Sequence, residues 1–206
     1  MSDNELAKKS ETGLAAGTKV MPAGLDGAGA RDFLMSRFKI WHPMSKSEVM
    51  NAKLGMFYEA NGATLAGDTI RFYLLAQVNK QFENDGVLKN SKNMLIVRED
   101  QPNMPCELVI SGSGLRAVSA LNTTLLDKSL ADKAGTAFQY LIEAKIEVKE
   151  NDKGKFGVPK FSIVGTADSE TFDKLAGLHA EIAANYGSAA AAIDTATSYK
   201  EEELPM

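Results

Sequence analysis

The sequence predicts a mainly β protein: a five-stranded antiparallel barrel with one inserted helix, followed by a C-terminal helix, with disordered termini. Three observations support this fold class. Several segments alternate apolar and polar residues with the period of two that is typical of strands. One segment near the middle of the chain has helical spacing instead, and a strand hairpin follows it. The two ends of the chain show neither period and consist largely of small residues.

Domain organisation follows from changes in amino-acid composition along the chain. A chain of 206 residues is long enough to bury one good core, so a single domain with flexible ends is expected. Residues 1–30 are rich in Gly, Ala, Ser and Thr, which predicts a flexible N-terminal arm. Residues 31–184 carry the periodic segments and the C-terminal helix. Residues 185–206 predict a disordered tether that ends in an acidic tip.

Strand alternation begins where large apolar residues first appear. In segment 33–41, Phe38 and Ile40 lie on one face, whereas Lys39 and Trp41 lie on the other. The stretch that follows is punctuated by glycines and predicts a loop. Further apolar segments predict strands at 69–78, 93–98 and 107–111.

The inserted helix and the hairpin come next in the chain. Apolar residues recur at helical spacing over 112–126, and Ser111 or Ser113 is available as the N-cap. Residues 140–163 alternate on both sides of an Asn-Asp-Lys-Gly turn, which predicts an antiparallel hairpin with positive φ at Gly154.

This order of elements narrows the choice of fold. One helix between a strand meander and a hairpin is the arrangement of the five-stranded oligonucleotide-binding (OB) barrel, which closes its sheet to avoid open edges. An enlarged barrel and a mixed α+β sheet are the alternatives. A last helix is predicted at 168–184, after the barrel.

Charge is distributed unevenly along a chain whose net charge is only −4. Residues 31–165 contain 18 basic and 15 acidic residues, whereas residues 166–206 contain 2 basic and 8 acidic ones. The body is therefore mildly basic and compatible with a nucleic-acid partner, while the acidity is concentrated at the end of the chain.

Sequence features that would indicate catalysis or a metal are weak. Cys106 begins an apolar strand and predicts a small core residue, and neither His42 nor His179 has the partners of a catalytic base. The stretch SGSGLRA matches a dinucleotide-binding fingerprint, but a polar hairpin follows the helix where that fold needs a parallel strand. We therefore expect no enzyme, no metal and no cofactor. Without an apolar signal core or membrane span, a cytoplasmic location is expected, in the host cytoplasm if the protein is viral.

Aromatic and basic residues interleave on the predicted outward strand faces. Single-stranded nucleic acid needs this combination, because cations offset phosphate charge and flat rings stack on bases. The alternative is that the lysines form an ordinary solvated face and that rings such as Phe57 belong to the core. The candidate DNA-binding residues are Lys39, Trp41, Lys53, Phe57, Tyr58, Arg71, Tyr73, Lys145, Lys155 and Lys160.

Two internal segments resemble a known family. The segments AKLGMFYEANGATLAGDTIRFYLL (52–75) and KENDKGKFGVPKFSIVG (149–165) are similar to turn-rich pieces of certain phage-encoded proteins of about this length. The resemblance implies an OB-fold single-stranded DNA-binding protein.

The tip YKEEELPM resembles the C-terminal tip of bacterial and phage single-stranded DNA-binding proteins, which ends in an acidic run, an aliphatic residue, proline and phenylalanine. Methionine stands here where those proteins have the terminal phenylalanine. The resemblance implies a partner-binding tip made of Glu201, Glu202, Glu203, Leu204, Pro205 and Met206.

Together these observations predict a protein that binds single-stranded DNA without sequence specificity and protects it during replication, recombination or repair. Its tail would recruit replication or recombination proteins, and a homo-oligomer is compatible with this interpretation. Two alternatives stay open at this point. One is a phage structural or assembly protein, and the other is a nucleotide-binding enzyme that uses Gly112 and Gly114.

Overall fold

The structure, a computed structural model, describes residues 37–40, 53–59, 65–84, 86–133 and 135–186. Eight strands and two α-helices lie in these residues, and all of them belong to one compact unit. The strands are β1 (Arg37–Ile40), β2 (Phe57–Glu59), β3 (Leu65–Gly67), β4 (Thr69–Asn84), β5 (Val87–Arg98), β6 (Pro105–Ser111), β7 (Tyr140–Asn151) and β8 (Gly154–Thr166). The helices are α1 (Leu115–Ala131) and α2 (Ser169–Tyr186), and short 3₁₀ turns at Gly112–Gly114 and Ala137–Gln139 precede α1 and β7.

The strands form one curled, mixed sheet in the order β3-β2-β1-β6-β5-β4-β7-β8. β1 and β6 are parallel, and the other neighbours are antiparallel. The edge strand β3 continues into β4 through Asp68 alone, and the backbone N–H of Ile146 donates to the carbonyl of Asp68 at 3.0 Å. Because an edge strand and an inner strand are consecutive in the chain, the sheet curls into a half-barrel.

The inner face of the sheet packs against α1 and forms the larger core. Apolar side chains at every second strand position point into it, as the period-two pattern requires. From α1 it receives Val118, Leu121 and Leu125, which recur at helical spacing. The largest fully buried members from the strands are Phe57, Phe72, Met94, Ile96, Leu108, Ile110, Tyr140 and Ile142.

The outer face of β4 and β5 is covered as well. Helix α2 packs Leu175 and Ile182 against it, in a cluster with Tyr73, Leu75, Leu95, Val97 and Phe138. This second core explains why the central parts of β4 and β5 are buried on both faces. The helix begins with a side-chain cap, because the Thr171 N–H donates to Asp168 Oδ1 at 2.7 Å.

The prediction of a mainly β chain with an inserted helix and a C-terminal helix is confirmed. The prediction of five antiparallel strands is wrong, since the sheet has eight strands and is mixed. β2 and β3 are three residues long and too short to show an alternation, so the sequence pattern of their glycine-rich surroundings predicts a loop instead. The alternative of an enlarged or mixed sheet describes the result better.

Element boundaries also differ at informative places. β4 and β5 extend into polar sequence beyond the predicted 69–78 and 93–98, because the two strands pair with each other up to Asn84 and Val87. Neither predicted serine makes a side-chain cap on α1, which begins through the 3₁₀ turn instead. Gly154 has φ +115°, as the hairpin turn requires. Residues 1–30 lie outside the described residues, as does the predicted tether beyond its first two residues, which belong to α2.

Candidate nucleic-acid interface

A groove runs between α1 and the β7–β8 hairpin. Its main part has a volume of about 720 Å³, and a smaller part of about 270 Å³ continues it towards the hairpin turn. Ser113 and Phe156 line both parts, so the two form one elongated surface. We call it the α1–β8 groove. Its basic lining residues are Arg116, Lys149, Lys153, Lys155 and Lys160.

Two glycines shape the wall of the groove next to α1. Gly112 has φ +57°, a conformation that side chains rarely adopt, and it turns the chain from β6 towards the helix. Gly114 lies where a Cβ atom would be 2.5 Å from Ile110 Cγ2 and 3.1 Å from Pro159 Cδ. The 3₁₀ turn therefore packs directly on β8 at this point. Opposite it, β8 is the edge strand of the sheet within the described residues, and Pro159 removes one donor from its ladder.

The charge of the groove is strongly positive. Among its lining residues in the described part of the chain, five cations face a single carboxylate, Glu147. Lys160 Nζ lies 3.4 Å from Glu147 Oε1, so one of the five cations is paired. The first turn of α1, which borders the groove, contains no acidic residue and therefore leaves the positive end of the helix dipole unopposed. An anionic ligand is attracted from both sides.

Aromatic surface lies among these charges. Phe156 is half-buried, and its cross-strand partner in the hairpin is Lys149, so a ring and a cation are neighbours on the same surface. Phe161 also lines the groove but packs edge-on against Phe72, with ring centroids 6.4 Å apart, which anchors it to the inner core. Phe156 is therefore the ring best placed to stack on a planar ligand.

Some of the residues predicted from the sequence come together at this groove. Lys155 and Lys160 line it. Lys145 is exposed and lies directly opposite Lys160 across the β7–β8 pairing, just outside the lining. Lys53 is exposed, and Lys39 is half-buried in β1. Neither Lys39 nor Lys53 lines the groove.

The two candidate DNA-binding residues on β4, Arg71 and Tyr73, do not form an open binding surface. Tyr73 points to the outer face as expected, but α2 covers it, and burial raises the pKa of its hydroxyl. Arg71 is exposed and pairs with Glu143, with Nε 2.9 Å from Oε2, and more loosely with Glu99 at 3.8 Å. The hydrogen bond and charge of Glu143 raise the pKa of Arg71. Tyr73 is therefore covered by α2, and Arg71 is paired with carboxylates.

Two aromatic residues among the candidates are also buried. Phe57 is fully buried in the inner core, and Tyr58 is buried on the other face of β2. The alternative stated for Phe57, that it belongs to the core, is the correct one. Trp41 and the tip residues 201–206 lie outside the described residues.

Four residues of the groove were missed by sequence reasoning: Arg116, Lys149, Lys153 and Phe156. A signal for three of them is present in KENDKGKFG, where three lysines and then a phenylalanine lie around a hairpin turn. Arg116 carries no such local signal, because only the approach of α1 to β8 brings it to the hairpin.

The features considered for catalysis have structural roles. Gly112 and Gly114 of the dinucleotide-like fingerprint provide the turn and the close packing described above. Cys106 is buried in the inner core, and burial raises the pKa of its thiol to about 12. His179 is half-buried, with its ring 5.6 Å from that of Phe138. Within the described residues there is no cluster of three metal-ligating side chains.

Comparison of the chain with protein-family models, with curated proteins and with solved structures finds no match. Among the described helices, none combines the length and the apolar character needed to cross a membrane. The interpretation of the groove therefore rests on its own charges, rings and backbone geometry.

Proposed function

We propose that the protein binds single-stranded DNA without sequence specificity, and that the α1–β8 groove is its DNA-binding surface. The observation that carries this proposal is the combination of five cations with the half-buried ring of Phe156 in one elongated groove. The cations offset phosphate charge, and the ring stacks on a base whatever its identity. Such stacking needs an unpaired base, which favours a single strand over a duplex.

The topology of the sheet supports an OB-fold-like barrel as the scaffold. β4, β5 and β6 form an antiparallel meander, α1 follows, and β7 and β8 form a hairpin whose first strand pairs antiparallel with β4. This is the order of the five-stranded OB barrel, with the helix between the third and fourth strands. In this interpretation β1, β2 and β3 are additions that extend the sheet beyond β6.

The cellular role follows from the same chemistry. A surface that holds phosphates and stacks on any base protects transient single strands during replication, recombination or repair. The acidic tip, with Leu204, Pro205 and Met206 behind three glutamates, recruits partner proteins that have an apolar pocket rimmed by cations.

Fluorescence anisotropy of labelled oligo-dT tests the proposal. If all five cations contact phosphates, log K falls against log salt with a slope of about −3.5, because each contact on a single strand contributes about −0.7. Replacing Lys149 by alanine should reduce the slope by about 0.7. Replacing Phe156 by alanine removes one stacked base and should weaken binding by about 1–3 kcal/mol, which is roughly 5- to 150-fold.

Lys145→Ala is the matched control, since Lys145 is exposed on the same strand as Lys149 but does not line the groove. It should leave the salt slope unchanged. If Lys145→Ala reduces the slope and Lys149→Ala does not, the DNA lies nearer to β4 along the hairpin and outside the groove. Equal affinity for duplex and single strand, or no binding to either at low salt, would contradict the proposed function itself.

A further inference from the structure

One acidic side chain lines the α1–β8 groove within the described residues, that of Glu147. Its carboxylate repels the phosphates that the surrounding cations attract. The ion pair with Lys160 does not explain its presence, because the side chains of Glu147 and Lys160 are 45% and 71% exposed and exposed pairs contribute little to stability. The groups of a DNA strand that can donate a hydrogen bond to this carboxylate are on the bases.

The pairing of β7 with β8 places Glu147 one step from the ring that is best placed for stacking. Lys149 lies opposite Phe156, and Glu147 lies opposite Val158 in the next pair on the same face. Successive pairs on one face are about 7 Å apart, because a strand rises about 3.3 Å per residue. Val158 is half-buried and also lines the groove. A base that stacks on Phe156 and extends over Val158 therefore presents an edge to Glu147.

The carboxylate of Glu147 has acceptor capacity left for such an edge. An ionised carboxylate only accepts hydrogen bonds, and its two oxygens offer about four lone-pair sites. Lys160 Nζ lies 3.4 Å from Glu147 Oε1, whereas a charge-assisted hydrogen bond is about 2.7–2.9 Å long. The ion pair is therefore loose and leaves both oxygens able to accept from a ligand.

The four bases differ in what their Watson–Crick edges offer to a carboxylate. Guanine has two adjacent donors, N1–H and the N2 amino group. Adenine and cytosine have one amino group beside a ring nitrogen that accepts, and thymine has one N–H between two carbonyl oxygens. An acceptor beside the donor repels the second oxygen of a carboxylate. Guanine is therefore the base whose donors match both oxygens.

We propose that Glu147 gives the groove a preference for guanine at the position that stacks on Phe156. N1–H and N2–H of the guanine each donate to one carboxylate oxygen while the purine lies on the ring. This inference rests on the proposed function and deepens it: the cations and the ring bind any single strand, and Glu147 ranks the bases at one position. The preference is about 5-fold, the lower end for a bidentate contact, because the carboxylate stays partly in water.

Fluorescence anisotropy with short oligo-dT strands that carry one central purine tests the proposal. The purine is guanine, adenine or the base of inosine, so the strands have equal phosphate charge and similar stacking surfaces. Wild type should bind the guanine strand about 5-fold more tightly than the adenine strand. The inosine strand keeps N1–H but lacks the N2 amino group, and its affinity should lie between the other two. An inosine strand that binds as tightly as the guanine strand would contradict the two-donor contact.

Glu147→Gln assigns the preference to the carboxylate while keeping the size of the side chain. The ratio of guanine-strand to adenine-strand affinity should fall to one or below, because an amide has a single acceptor oxygen and its NH₂ group can donate to N1 of adenine. Glu150→Gln is the matched control, since Glu150 is exposed on the same strand but does not line the groove. It removes the same charge and should keep the wild-type ratio. A ratio that survives Glu147→Gln, or that Glu150→Gln also abolishes, would contradict the role of Glu147.

The three strands also separate this inference from the proposed function. Wild type that binds all three strands with equal affinity would overturn the guanine preference alone. Wild type that binds none of them at low salt would refute the proposed function, and the guanine preference with it. Both results come from one wild-type protein and three ligands, so they do not depend on how the variants fold.

Discussion

Replacing Gly114 by alanine tests how closely the 3₁₀ turn at Gly112–Gly114 packs against β8. The backbone of Gly114 has φ −71° and ψ −20°, which any residue can adopt, so backbone strain does not contribute. The new methyl group would lie 2.5 Å from Ile110 Cγ2 and 3.1 Å from Pro159 Cδ. Since comfortable carbon contacts are about 3.5–4.0 Å, the closest neighbouring group must move by about 1 Å or more.

The size of the effect follows from how little room the neighbours have. Ile110 and Pro159 are both buried, so neither can turn into solvent. Overpacking of this kind costs about 1–3 kcal/mol. Alanine recovers about 0.4–1 kcal/mol, because it restricts the unfolded chain more than glycine does. We therefore expect the free energy of unfolding to fall by about 1–2 kcal/mol.

Urea denaturation followed by circular dichroism measures this change. Gly177→Ala is the matched control, because Gly177 is an exposed glycine within α2 and a Cβ atom there would meet nothing within 4 Å. It should raise the free energy of unfolding by about 0.4–1 kcal/mol. If Gly114→Ala is as stable as wild type while Gly177→Ala is stabilised, the 3₁₀ turn does not pack on β8 as described.

Two further predictions concern single side chains. The backbone hydrogen bond from Thr171 lowers the pKa of Asp168 in the folded protein. The stabilisation that Asp168 gives as a helix cap is therefore fully present above its pKa in the unfolded chain, about 4. This stabilisation is lost as the pH falls through the lower pKa of the folded protein. Asp168→Ala should therefore lower the thermal midpoint at pH 7, and a midpoint difference that persists at about pH 2 would exclude capping as its cause. The buried, protonated thiol of Cys106 should react with a disulfide reagent only as fast as the chain unfolds, and rapid reaction in native buffer would show that its site is open.

Local patterns were most informative where an element is stabilised by its own residues. The β7–β8 hairpin was predictable because its alternation and the glycine of its turn are adjacent in the chain, and Gly154 has the expected positive φ. The existence of α1 was predictable because three apolar residues at helical spacing form its buried face. β2 and β3 left no comparable pattern, because three residues cannot show a period and their pairing depends on distant strands.

Faces of strands were predicted less well than the strands themselves. The alternation correctly separates Phe72 from Tyr73, but it cannot show that a helix almost one hundred residues later covers the second face. The same applies to Arg71. From the sequence its charge is expected to be free to bind a phosphate, but the pairing of β4 with β7 places Glu143 beside it.

By itself the sequence determined the mainly β class, the inserted helix, the C-terminal helix and the lysine-rich hairpin, because each depends on residues close together in the chain. The tertiary structure alone decided which aromatic and basic groups share a surface. The approach of α1 to the open edge of β8 adds Arg116 to the hairpin lysines, and the packing of α2 removes Tyr73 from the surface. Both depend on contacts between segments far apart in sequence, and local periodicity carries no record of such contacts.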